Sequence, residues 1–200
     1  MKSRVMNLTL VVGLVIGLVG MTGCSGKDGN EWERLVCEVE TVNDGYPLLS
    51  AYQEDSGGEI TFPVDWVQVE FRARSYSTSL TIPEDGPYSW FHITNYNITW
   101  TPSVGFPSGS VDDLVKYNLQ GGLCDVIVPV DGQGIVSIMI TDRNIKDEAW
   151  FGTLLADPDA VPSYSANCQL EFIGHESGSD RQVVIPCGLM VTFVGQLNSD

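Results

Sequence analysis

The sequence predicts an all-β fold, an antiparallel β-sandwich with one short helix. Some seven or eight short segments alternate apolar and polar residues with period two. Between them stand turns rich in proline and glycine, such as Pro83-Glu84-Asp85-Gly86-Pro87 and Asp131-Gly132-Gln133-Gly134. Convincing helical character is confined to one stretch, Asn144 to Leu155, with Asn144 as the expected cap. A closed barrel is the second architecture compatible with this pattern.

Taken in order, Leu35, Cys37 and Val39 alternate with Glu38 and Glu40, the signature of a half-buried strand, and Asn43-Asp44-Gly45 turns the chain. Tyr46 to Phe62, broken by Pro47 and Gly57-Gly58, reads as a long loop or irregular edge. Val67, Val69, Phe71 and Ala73 then take one face of a strand, with Gln68, Glu70, Arg72 and Arg74 on its wet side. In Phe91 to Trp100, Tyr96, Ile98 and Trp100 share a face, but Ile93 falls on the opposite parity. A bulge near Thr94 and Asn95 or burial on both sides is therefore expected. This assignment takes Asn97-Ile98-Thr99 as strand rather than as a glycosylation acceptor.

Thr101 to Gly122 reads as a connection, with one helical turn over Val111 to Tyr117. Cys124, Val126, Val128 and Val130 follow at strand spacing, and Pro129 argues for a sheet edge. Ile135 to Ile140, apolar at nearly every position, is expected to be covered on both faces. Cys168, Leu170 and Phe172 alternate, as do Val183, Ile185 and Cys187, with Glu176 to Ser179 as the turn. A regular hairpin centred between Ser177 and Gly178 would set Cys168 opposite Cys187 at bonding distance. The expected disulfides are thus Cys168 with Cys187 and, by remainder, Cys37 with Cys124.

The amino terminus carries a separate message. Lys2 and Arg4 precede an apolar stretch from Leu8 to Met21, which ends in Met21-Thr22-Gly23-Cys24. This resembles the lipobox of bacterial lipoproteins, with Met21 where leucine is usual. The resemblance implies cleavage before Cys24, diacylation of its thiol and acylation of its new amino group. A plain membrane-spanning helix is disfavoured by Gly13, Gly17 and Gly20 and by the lack of a basic cluster after the stretch. Ser25, rather than aspartate, after the cysteine implies the outer membrane. The expected organisation is a signal peptide over 1–23, a lipidated cysteine and short tether over 24–31, and a β-sandwich over 32–197. Around Phe91 to Trp100, Phe172-Ile173-Gly174 and Val191-Thr192-Phe193, the second half is similar to bacterial lipoproteins with immunoglobulin-like domains. That resemblance implies an immunoglobulin-like sandwich and transfers no residue roles.

Charge narrows the partners. The chain carries 10 basic and 26 acidic side chains, a net of -16. Removing Lys2 and Arg4 with the signal leaves 8 against 26, a net of -18. Such a surface repels nucleic acid, so none is expected as a partner. The membrane, through the lipid on Cys24, and an envelope protein or polysaccharide are the expected partners.

Few residues suggest chemistry. His92 and His175 are the only histidines, neither in a His-Glu-x-x-His run, and no serine sits in Gly-x-Ser-x-Gly. His175 reads as a turn residue. The glycines of Gly105 to Ser110 lack the lysine of a phosphate loop. Among the carboxylates, Asp112, Asp113, Asp157 and Asp159 are hard oxygen donors, and Asp157 and Asp159 are the metal candidates. Tyr88 and Trp90 beside Pro87 are the candidate ligand-binding pair. No catalytic set and no cofactor is expected. The leading expectation is a non-catalytic, lipid-anchored envelope protein that binds or scaffolds its neighbours. The alternatives are a carbohydrate-binding module and a hydrolase of an envelope or extracellular polymer.

Overall fold

The computed structural model describes residues 34–54, 58–77, 81–83, 86, 89–107, 110–156, 163–179 and 181–196. The signal peptide, Cys24, the tether, Tyr88, Asp157 and Asp159 lie outside the described residues.

Alternating burial produces most of the strands. Those described are β1 (Leu35–Val42), β2 (Leu48–Glu54), β3 (Ile60–Thr61), β4 (Asp65–Ser75), β5 (Trp90–Pro102), β6 (Leu119–Pro129), β7 (Gln133–Thr141), β8 (Ser163–Glu176) and β9 (Gln182–Gln196). Three short helices, α1 (Val111–Val115), α2 (Arg143–Lys146) and α3 (Ala149–Ala156), occupy the connections. The strands form a three-stranded sheet, β1-β4-β7, and a six-stranded sheet, β3-β2-β9-β8-β5-β6. The β-sandwich architecture is therefore present, with every ladder antiparallel except β2 on β9.

The inner faces follow the sequence closely. On β4, Val67, Val69, Phe71 and Ala73 are buried. On β8 and β9, Cys168, Leu170, Phe172, Ile185, Leu189, Val191 and Phe193 face the same core. Phe71 and Phe172 meet edge to face between the sheets, ring centres 4.8 Å apart at 85°. Each such side chain contributes about 1.5–3 kcal/mol by leaving water. Where the smaller sheet ends, α3 covers the larger one, and Trp150 packs 5.0 Å from Phe193. The bulge expected on β5 falls between Ile93 and Asn95 in both of its ladders. It restores Ile93 to the buried face alongside Tyr96, Ile98 and Trp100.

Five expectations change. Tyr46 to Phe62 holds β2 and β3, because Leu48–Glu54 is drawn into the sheet by a parallel partner, β9, that local periodicity cannot reveal. Ile135 is 54% exposed, since β7 edges the small sheet and nothing described covers its outer face there. The single helix expected from Asn144 is two, α2 and α3. Asp142, not Asn144, caps α2, its carboxylate accepting from the Ile145 N–H at 3.1 Å.

The fourth and fifth concern the cysteines, all four of which are free thiols. The β8–β9 hairpin pairs Cys168 with Leu189 and Leu170 with Cys187. Gly178 adopts a left-handed conformation, φ +77°, and the turn takes up more chain than a four-residue loop would. A shift by two keeps every side chain on its expected face while moving its partner. Cys168 and Cys187 become diagonal neighbours, about 7–8 Å apart in a regular ladder, beyond the usual span of a disulfide of about 4.4–6.8 Å. Cys37 lies on β1 and Cys124 on β6, in different sheets, with β4 and β7 intervening between β1 and the β6 side. Burial pushes the Cys37, Cys168 and Cys187 thiols up to about 12 and Cys124 up to about 11. Thiolate, the reactive form, is correspondingly scarce.

Gly174 is a position where only glycine fits. A Cβ there would stand 2.4 Å from the His92 carbonyl oxygen and 2.7 Å from a Phe91 ring carbon, beside the β5 bulge. Gly174→Ala is expected to destabilise the protein by about 1–3 kcal/mol, read as a lower urea midpoint at unchanged slope.

Candidate functional site

Three polar constellations stand out, one buried, one half-buried and one on the outer face of the large sheet. The buried one centres on Lys146, whose side chain is 0% exposed. Its ammonium donates to Asp65 Oδ2 at 3.0 Å, to the Ala51 carbonyl at 3.0 Å and to the Pro63 carbonyl at 2.7 Å. All three protons are thereby used. Asp65 also accepts from Ser50 Oγ at 2.6 Å and from Thr141 Oγ1. Burial pulls the Lys146 ammonium below the ordinary lysine value, and Asp65 pulls partly the other way. The three ammonium protons and Asp65 Oδ2 are spent on the fold, joining β2, the β3–β4 link, β4, β7 and α2. The sequence held no sign of it, because a lysine in a helical segment normally reads as solvated.

The second constellation joins α1 to the α2–α3 connection. Lys116 Nζ lies 2.6 Å from Glu148 Oε1 and 3.7 Å from Asp113. The Tyr117 hydroxyl donates to Glu148 and stands 3.0 Å from the Asn144 carbonyl oxygen. The bond from Lys116, then that from Tyr117, holds the Glu148 carboxyl below its usual range. Burial, then Glu148, raises the Tyr117 phenol. Of the carboxylates singled out from sequence, Asp112 is exposed and Asp113 serves Lys116. Among the described residues no three His, Cys, Asp or Glu side chains form a ready ion cage.

The third constellation gathers both histidines. His92 on β5 stands directly opposite His175 on β8, which is a strand residue and not the turn residue expected. Their ring centres are 5.4 Å apart. His92 Nε2 lies 2.7 Å from Asp125 Oδ1 of β6, and the Trp90 ring is 6.1 Å from His92. Trp90, the described member of the candidate aromatic pair, is half-buried. Tyr96 and Trp100 are core, as parity implied, and Trp66 is 59% exposed on the outer face of the small sheet.

Around the histidines the outer face of the large sheet is apolar to an unusual degree for a chain of this charge. Register sets Leu123, Asn95, Ile173 and Val184 in one row across four strands, next to the row Ile127, His92, His175 and Gln182. Leu123 is 85% exposed, Ile127 55% and Val184 53%. Parity within one strand puts Ile127 opposite the buried valines but does not show this patch, since the neighbours on other strands become visible only with register.

Two outcomes follow from the first two constellations. Lys146→Met strands a buried carboxylate and is expected to cost about 3–5 kcal/mol, most of it recovered in the double variant Lys146→Met with Asp65→Leu; guanidinium unfolding of the four proteins measures this. Because folding lowers the Glu148 value from an ordinary 4.5, its stabilisation is full above that pH and is lost as pH falls through the folded value. Lys116→Met is expected to flatten the acid limb of an unfolding free energy against pH plot.

No family model and no curated protein matches the chain.

Proposed function

We propose that the protein is a non-catalytic domain, anchored by lipid on Cys24 to the outer membrane, that binds or scaffolds a component of the cell envelope. The observation that carries the binding role is the group of exposed apolar side chains Leu123, Ile127 and Val184, with half-buried Ile173, on one face of the large sheet. Exposed apolar side chains gathered on one sheet face mark a contact site, since leaving them wet forgoes their burial energy. The anchor rests on the lipobox resemblance of Met21-Thr22-Gly23-Cys24 and the basic, apolar, small-residue order before it. The sandwich is further proposed to be of the immunoglobulin-like type, a reading supported by the two packed, mostly antiparallel sheets.

The two halves of the proposal are tested separately. Radiolabelled palmitate is expected to enter the wild-type protein and not Cys24→Ala; equal labelling refutes the anchor. Leu123→Asp with Ile127→Asp is expected to abolish the protein's cross-linked adducts in intact cells while leaving thermal unfolding within a few degrees. Persistence of every adduct in that variant refutes the patch as the contact surface.

A further inference from the structure

We propose that His92 and His175 form a two-histidine site for a divalent first-row transition metal ion, with Cu²⁺ bound most tightly, on the outer face of the large sheet. The chain has only these two histidines, and the fold brings them into direct opposition on adjacent antiparallel strands, β5 and β8. Both side chains stand on the solvent side of the sheet, since their neighbours Phe91, Ile93 and Gly174 are the buried ones. Directly opposite residues in such a ladder have β-carbons about 4.5–5.5 Å apart, so neither ring must stretch to meet the other.

The spacing suits one shared ion. With a metal–nitrogen bond of about 2.1 Å and the ring centre roughly 1.2 Å further on, two imidazoles on one ion have centres about 5.4 Å apart at a tetrahedral angle and about 4.7 Å apart at the right angle of neighbouring equatorial positions. The observed separation is 5.4 Å. The backbone here is fixed by the bulge at Ile93 and by Gly174, whose missing side chain lets β8 close on the His92 carbonyl.

Asp125 supplies the second argument. Its carboxylate lies 2.7 Å from His92 Nε2, with Asp125 itself 86% exposed and free to reach over from β6. A carboxylate accepts and cannot donate when ionised, so this bond assigns the Nε2 proton to His92 and leaves Nδ1 with the lone pair. Imidazole ligands of metal ions are oriented in this way, by a carboxylate on the opposite ring nitrogen. Imidazole donors favour copper, zinc and nickel over magnesium and calcium, and among these Cu²⁺ binds a given nitrogen site most strongly. With two protein nitrogens, solvent completes the coordination, and the site is an open one. Nothing in this inference depends on the partner proposed above.

Full-length protein in detergent, given one equivalent of CuCl₂, is expected to show an electron paramagnetic resonance spectrum split by two equatorial nitrogens. His92→Gln and His175→Gln should each remove one nitrogen, and Asp125→Asn should keep both while weakening binding by about tenfold or more. The wild-type spectrum decides even if a variant misfolds. An all-oxygen or single-nitrogen spectrum, no bound copper, or a spectrum unchanged in His175→Gln overturns the site; the acidic surface alone would give the first of these.

Discussion

The fold depends on one buried charge pair. Lys146 reaches from α2 beneath the end of the sandwich and binds Asp65 of β4 and the carbonyls of Ala51 and Pro63, while Asp65 also holds Ser50 of β2 and Thr141 of β7. Strands of both sheets thus converge on one carboxylate and one ammonium. An ammonium buried without partners would be prohibitive in cost, so its three satisfied protons are a condition of the architecture and not an ornament to it. The arrangement also withdraws the Lys146 ammonium from other chemistry, because all three of its protons are already donated.

Around that pair the division between legible and illegible features has a physical basis. Strands whose burial alternates, β1, β4, β5, β8 and β9, announce themselves through side-chain parity, because one buried face imposes period two on the residues. Even the β5 bulge was visible, since Ile93 violated the parity of Tyr96 and Ile98 and the chain had to insert a residue to bury both. Leu48–Glu54 broke the rule because Ser50 and Ala51 are both buried, one against Asp65 and the other below Lys146. Its long partner, β9, is remote in sequence and its local one, β3, has two residues, so little that is local encodes its strand.

Register was the second thing that sequence could not carry. The β8–β9 faces were readable, but their alignment turned on the length of the loop around Gly178, and a slip by two preserves every face. Cysteine pairing, which needs alignment as well as face, therefore failed where burial succeeded. The same limit hid the histidine pair. His92 was readable as a strand residue and His175 was read as part of the turn, and only the β5–β8 alignment makes them neighbours, as only the β6 edge adds Asp125. The surface patch of Leu123, Ile127, Ile173 and Val184 is likewise a property of four strands laid side by side.

The parallel pairing of β2 with β9 ties the second described strand to the last described one. Until residues 191–196 dock, Leu48–Glu54 has only the two-residue β3 beside it, and one border of the six-stranded sheet is not in place. Closure of so large a loop must precede its reward, which slows folding and leaves sheet edges open in the meantime. Loss of residues 191–196 would therefore be felt first at Leu48–Glu54, the strand those residues hold in the sheet.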